Sequence, residues 1–115
     1  MLPPDNRLTD KYYYEKAKKY GKSCSTPFFV LSVMRNIKNP SAKPKIGFIV
    51  SNKIDKRAVV RHKLKRVFSD IVYKLLGGFK AGYYYIFIIR FKGLTATYEE
   101  ISSQINKVLS EISFL

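Results

Sequence analysis

The spacing of apolar positions changes repeatedly along this chain, and each change marks the start of a new element. After a turn-rich lead-in, MLPPDN, Thr9 is placed to cap a short helix over residues 10–20, DKYYYEKAKKY, which Gly21 stops. Tyr13, Ala17 and Tyr20 recur on it at helical spacing. TPFFVLSVMR at 26–35 reads as a strand, and SCS at 23–25 as a short edge strand before it. Beyond the loop NIKNPSAKPK, the segment KIGFIVSNK at 45–53 is expected to return as the second arm of a hairpin with 26–35. In it Ile46, Phe48 and Val50 alternate with Gly47, Ile49 and Ser51.

From Val60 the period becomes helical. Val60, Leu64, Val67, Phe68, Ile71 and Leu75 share one face, Gly77 and Gly78 close the helix, and Arg61, His62, Lys65 and Arg66 fall on the opposite face. YYYIFIIRF at 83–91 is apolar on both faces and rich in aromatic and β-branched residues, which predicts a strand in the middle of a sheet. Thr97 and Glu100 form a capping box opening a last helix, where Ile101, Ile105, Val108 and Ile112 make the stripe that packs on the sheet. Glu99 and Glu100 suit the positive end of that helix. Helix, two or three strands, helix, strand, helix implies a two-layer α+β sandwich, expected as one domain over residues 1–115.

Charge narrows the function. Lys and Arg number 22 against 8 Asp and Glu, for a net charge of +14, and the cations concentrate in KIDKRAVVRHKLKR at 53–66. Such density is the electrostatic footprint of a polyphosphate partner, where ordinary surfaces mix their signs. Lys53, Lys56 and Arg57 come from irregular backbone, while Arg61, Lys65 and Arg66 project from the helix. A second set interleaves Tyr12, Tyr13, Tyr14 and Tyr20 with Lys11, Lys16, Lys18 and Lys19. These rings can stack on single-stranded bases while the lysines follow the backbone, or they can serve as amphipathic core.

Catalytic chemistry is scarce. His62 is the one histidine, it stands among cations, and no second imidazole exists to pair with it on a metal. It reads as an RNA contact or a solvated side chain. The carboxylates are scattered, with Asp55 and Asp70 flanking the basic helix, and no acid/base dyad, phosphate-binding glycine loop or zinc spacing is present. Cys24 has no disulfide partner and fits a reducing compartment. The longest apolar runs are too short to span a bilayer, and the N-terminus lacks the features of a signal peptide, so a cytoplasmic location is expected. The residues point to a binding protein with no catalytic group of its own. Docking on anionic lipid and helix-turn-helix binding to DNA both fit poorly, because no exposed apolar face accompanies the cations and the basic helix lies between strands.

SNKIDKRAVVRHKLKR at 51–66 resembles the signature of the bacterial ribonuclease P protein subunit, S-K-K-x-G-K-x-A-V-x-R-N-R-x-K-R. Ser51, Lys53, Lys56, Ala58, Val59, Arg61, Lys65 and Arg66 match it directly. Further likenesses follow in order: Asn6-Arg7-Leu8, Phe29-Val30-Leu31, Gly47-Phe48 with Val50-Ser51, and Thr97-Tyr98-Glu99-Glu100. The departures include His62 for Asn, Lys63 for Arg, Asp55 for the usual Gly, and Ser69 for a basic residue. Lys63 keeps the charge of Arg and loses its planar fork. In the first helix Tyr14 fits one leader-facing aromatic position and Lys18 replaces the other, while Ser32 stands where the early strand often carries an aromatic.

The resemblance implies an αβββαβα fold like domain 2 of ribosomal protein S5, with a left-handed βαβ crossover against the usual preference. It implies a protein that assembles with a large catalytic RNA, as a monomer in a 1:1 complex, and helps it remove the 5′ leader of precursor tRNA. The RNA would supply the active site with Mg²⁺ held mainly by its own phosphates. Lys53, Lys56, Arg57, Arg61, His62, Lys63, Lys65 and Arg66 would face the catalytic RNA, and Tyr14, Lys18, Phe28 and Ser32 the leader, in a cleft between the first helix and the sheet. A ribosomal or ribosome-associated protein of the same sandwich type is the alternative, separated only by the motif.

Overall fold

The computed structural model of the protein describes residues 2–8, 14–16, 19, 21–36, 38, 41–51 and 53–111. It contains strands β1 (Lys22–Ser25), β2 (Phe29–Arg35), β3 (Lys45–Ile49) and β4 (Tyr83–Ile89), and helices α1 (Ala58–Lys74) and α2 (Tyr98–Glu111). Residues 14–16 and 19 are also helical, as their spacing predicts. Thr9, Tyr12, Tyr13, Ala17, Lys18, Tyr20 and Ile112 lie outside the described residues.

The four strands form one sheet in the order β1-β2-β4-β3. β4 is central, as its two apolar faces predict: Tyr84, Tyr85, Ile86, Phe87 and Ile89 are all buried. It pairs antiparallel with β2, from Phe29 opposite Ile89 to Arg35 opposite Tyr83. With β3 it pairs in parallel, from Lys45 opposite Tyr84 to Ile49 opposite Ile88.

This order corrects the expected hairpin between 26–35 and 45–53. β4 lies between those two segments, because a strand apolar on both faces buries more surface with a neighbour on each side than at an edge. The local hairpin is instead β1–β2, with Lys22 opposite Val33 and Ser25 opposite Val30. Thr26 builds its turn: the backbone N–H of Thr26 donates to Phe29 O at 2.8 Å, and its Oγ1 accepts from the N–H of Phe29 at 3.0 Å. Residues 26–28, read as strand from their composition, are therefore turn.

Both helices join the core on one face of the sheet. Leu64, Phe68, Ile71 and Val72 of α1, and Ile101, Ile105, Val108 and Leu109 of α2, pack with Phe29, Leu31, Phe87 and Ile89. Phe87 is the hub of the aromatic packing, 5.2 Å from Phe29 and 5.5 Å from Phe48 between ring centroids. Edge-to-face and offset contacts of this kind add to the area they bury. The capping box forms as predicted: Thr97 N–H donates to Glu100 Oε1 at 3.0 Å, and Glu100 N–H to Thr97 Oγ1 at 3.2 Å. The opposite face of the sheet carries a smaller cluster of Leu8, Tyr84 and Ile86, against which Tyr14, Met34, Ile49 and Ile88 pack.

Candidate nucleic-acid interface

The motif at 51–66 folds as a turn followed by the first turns of α1. Ser51 starts the turn, with its Oγ accepting the N–H of Lys53 at 3.1 Å and its carbonyl the N–H of Ile54 at 3.0 Å. Lys53, Lys56 and Arg57 are exposed on this irregular stretch, as expected. α1 starts at Ala58 with Arg57 as its N-cap residue, and no acidic side chain occupies its first turn. Burying Leu64, Phe68 and Ile71 in the core turns the opposite side of the helix, with His62 and Arg66, to solvent.

Asp55 organises the loop. Its Oδ1 accepts the N–H of Arg57 at 2.8 Å and Nε at 3.1 Å, and its Oδ2 accepts Nη2 at 2.9 Å. These bonds, with the charges of Arg57 and Arg61, hold its carboxyl at about 2, well below the usual range. Arg61 Nη1 reaches back to the carbonyl oxygens of Asp55, at 3.0 Å, and Lys56, at 2.8 Å. Two of the cations assigned to RNA contact thus also shape the loop. Among the described residues no non-glycine residue has a positive φ, so Asp55 stands at the family's usual glycine position without backbone strain.

The remaining cations divide between the flanks of α1. His62, Lys65 and Arg66 line a cleft that also contains Tyr14. Lys63 lies on the other flank, beside a groove lined by Val59, Leu94 and Ala96. The resemblance groups all eight residues as one surface; three lie on the loop before α1, and the helix divides the other five between its flanks.

The leader-facing set is dispersed. Tyr14 is half-buried over Gly47, where a Cβ would collide with its ring, and its hydroxyl donates to Leu8 O at 2.8 Å. Burial raises that hydroxyl above its ordinary value, against a smaller lowering from the backbone at Phe48. Ser32 is 2% exposed, with its Oγ 3.5 Å from that of Ser23. Phe28 is partly buried against the main core, and Lys18 lies outside the described residues. Sequence reasoning missed Arg7 and Ser69, which line the same cleft as Tyr14 and His62. The one signal for Ser69 was its departure from the family's basic residue.

Among the described residues there is no group of three or more His, Cys, Asp or Glu that could hold a metal ion, and no helix long and apolar enough to cross a membrane.

Comparison with known proteins agrees with the motif. Residues 2–113 match the family model described as Ribonuclease P. A "Ribonuclease P protein component" from Cyanothece sp. is 30% identical over 83 residues, covering 72% of this chain and 63% of that protein. One from Clostridium novyi is 29% identical over 108 residues and covers 94% of each chain. Among solved structures, the RNase P protein of Thermotoga maritima superposes with a TM-score of 0.80 at 23% identity, over 93% of this chain and 97% of that one.

Proposed function

This chain belongs to the ribonuclease P protein family, and from that premise we propose that it binds the catalytic RNA of a ribonuclease P ribonucleoprotein and the 5′ leader of precursor tRNA. In that assembly it assists the Mg²⁺-dependent endonucleolytic cut that leaves the mature tRNA 5′ end. The observation that carries the reading is the build of residues 51–66: a helix whose apolar face is locked into the core while its other flanks and the preceding loop present Lys53, Lys56, His62, Lys63, Lys65 and Arg66.

The protein contributes binding and electrostatics. Lysines and arginines on the loop and helix neutralise phosphates that crowd together in a folded RNA, and each contact releases counterions. Asp55 and Arg61 hold the loop in the shape that presents Lys53 and Lys56. Tyr14 and Phe28, with Lys18 close to Tyr14 in sequence, supply the leader-facing surface; Ser32, buried within the sheet, is corrected from a leader contact to a supporting residue. The Mg²⁺ ions that activate water and stabilise the leaving oxygen would sit mainly on RNA phosphates. One protein per catalytic RNA suffices for this role, in the cytoplasm, with neither DNA nor membrane as a partner.

The test compares precursor and mature tRNA. A complex of this protein with a bacterial ribonuclease P RNA is expected to bind leader-bearing tRNA more tightly than mature tRNA, with Tyr14→Ala lowering only the former. Equal affinities for both would remove the leader-binding part of the reading.

A further inference from the structure

The two edges of the sheet differ. Along the β3 edge lies the N-terminal segment: Leu8 N–H donates to Ile46 O at 3.0 Å, and Arg7 forms a parallel bridge with Ile46. At the opposite edge β1 pairs with β2 on one side, and no described residue pairs with its other side. An open strand edge is a template for a further strand, and folds usually blunt it with charge, proline or a bulge. Between Lys22 and Pro27 this edge carries none of these, because Ser23, Cys24, Ser25 and Thr26 are small and uncharged and the register with β2 is unbroken.

The alternation of hydrogen bonds decides which groups face outward. Arg90 N–H donates to Phe28 O at 2.9 Å, so in the β2–β4 register Phe28, Val30 and Ser32 direct their backbone groups to β4. Phe29, Leu31 and Val33 are left for β1, and Thr26 N–H accordingly donates to Phe29 O at 2.8 Å. Cys24 therefore bonds inward to Leu31, while the N–H and C=O of Ser23 and Ser25 point away from the sheet. The side chains agree: Ser23 Oγ is 3.5 Å from Ser32 Oγ, the closer approach of a pair that exchanges no backbone bonds. Arg90 Nη1 donates to Ser25 Oγ at 3.0 Å and to Thr26 O at 3.3 Å, which fixes the far end of the strand.

Ser-Cys-Ser reads the same in either direction, which makes this edge complementary to itself. A two-fold axis through Cys24 sets Ser23 of each copy opposite Ser25 of the other, where the two residues exchange their outward N–H and C=O groups. Lys22 then faces Thr26 of the second copy rather than another cation. Burial raises the Cys24 thiol above its ordinary value, and the charge of Glu111 at the end of α2 raises it further. Each copy thus brings both signs of charge, Lys22 and Glu111, to the neighbourhood of the axis.

We propose that β1 is a self-association edge, at which two copies of this chain pair antiparallel about Cys24 and join their four-stranded sheets into one. A two-fold contact of this kind closes at the dimer. With a strand of four residues the contact is modest. It lies at the opposite edge from β3, from which residues 51–66 follow, so each copy keeps its cationic loop and helix open to RNA. The dimer goes beyond the RNA-binding reading and stands without it.

Sedimentation equilibrium and thiol cross-linking of the protein alone test the edge. Dimers are expected to appear in the high-micromolar range and to strengthen as salt rises from about 0.1 to 0.5 M, because salt screens the repulsion between chains of net charge +14. At the axis the two Cys24 Cα atoms form a pair without backbone bonds, about 4.5 Å apart, inside the disulfide range of about 4.4–6.8 Å. Diamide is therefore expected to link the copies: two thiols give up two protons and two electrons, which reduce the diazene to its hydrazine, and one S–S bond forms. Ser23→Pro removes an outward N–H that the monomer leaves unused, and Ser23→Lys with Ser25→Lys, both exposed, sets like charges opposite each other. Each change is expected to weaken the dimer about tenfold or more and to slow cross-linking in step, the lysine pair keeping the result readable if proline disturbs β1. A protein that stays monomeric into the millimolar range, leaving the edge to a strand of some other protein, would overturn the proposal, as would a dimer untouched by the lysine pair.

Discussion

Asp55 accepts three hydrogen bonds from Arg57, one from its backbone N–H and two from its guanidinium, at 2.8, 3.1 and 2.9 Å. The pair stands at the entrance to α1, inside the stretch of highest positive charge. Its carboxylate both neutralises one cation and fixes the loop that carries two others.

Replacing Asp55 by Gly, the residue usual at this position in the family, is expected to release Arg57 for phosphate. The affinity for a bacterial ribonuclease P RNA at low salt should rise, and the slope of log affinity against log salt should steepen by about one unit. Filter binding across a salt series measures both. The Asp55 carboxyl, lowered from 3.8 to about 2, stays ionised in the folded chain at pH values where the unfolded one protonates. Its contribution to stability is therefore present above pH 3.8 and lost as pH falls through about 2. An Asp55→Asn chain should melt at lower temperature than the parent near neutral pH, with the gap closing in strong acid.

Arg61 separates charge from geometry. Arg61→Lys keeps the positive charge but loses the fork that spans the carbonyls of Asp55 and Lys56. RNA affinity should fall with little change in salt slope. Lys65→Ala, by contrast, should flatten the slope by about one unit, and the double change Arg61→Ala with Lys65→Ala should weaken binding further.

Gly47 is required by Tyr14. A Cβ at position 47 overlaps the Tyr14 ring, so Gly47→Ala is expected to cost about 1–3 kcal/mol in chemical denaturation, the usual range for overpacking. Adding Tyr14→Ala to it should recover part of that loss. Strict additivity of the two changes would mean that the ring does not rest there.

The capping box gives a stability test remote from RNA. Thr97→Ala is expected to lower stability by about 1 kcal/mol through loss of the cap on α2. Its partner Glu100 is held below its ordinary value by bonds from Thr97, so the box's contribution is complete above the usual carboxylate range and fades as pH falls. Circular dichroism melts at neutral and acid pH compare the two chains.

Much of this molecule could be read from the chain, and the exceptions share a cause. Helix α1 follows from the step between Leu64, Phe68 and Ile71, and β4 from an apolar run whose two faces both need cover. Local pattern says which segments are strands but not which strands are neighbours, so it predicts a hairpin of β2 and β3 where β4 lies between them. The same holds at the interface. Spacing placed the cations on a loop and a helix, whereas the roles of Asp55 and Arg61 depend on side chains folding back over two to six residues. Ser69 and Leu2 are distant in sequence, and only the fold joins them.

The central claim is that this protein works as the partner of a catalytic RNA in leader removal. The most direct measurement mixes it with a bacterial ribonuclease P RNA and a precursor tRNA at low Mg²⁺ and follows release of the leader against the RNA alone. The account predicts markedly faster cleavage at the same phosphodiester bond, with the acceleration shrinking as salt or Mg²⁺ rises. Cleavage no faster than with RNA alone, with the protein folded and in excess, would contradict it.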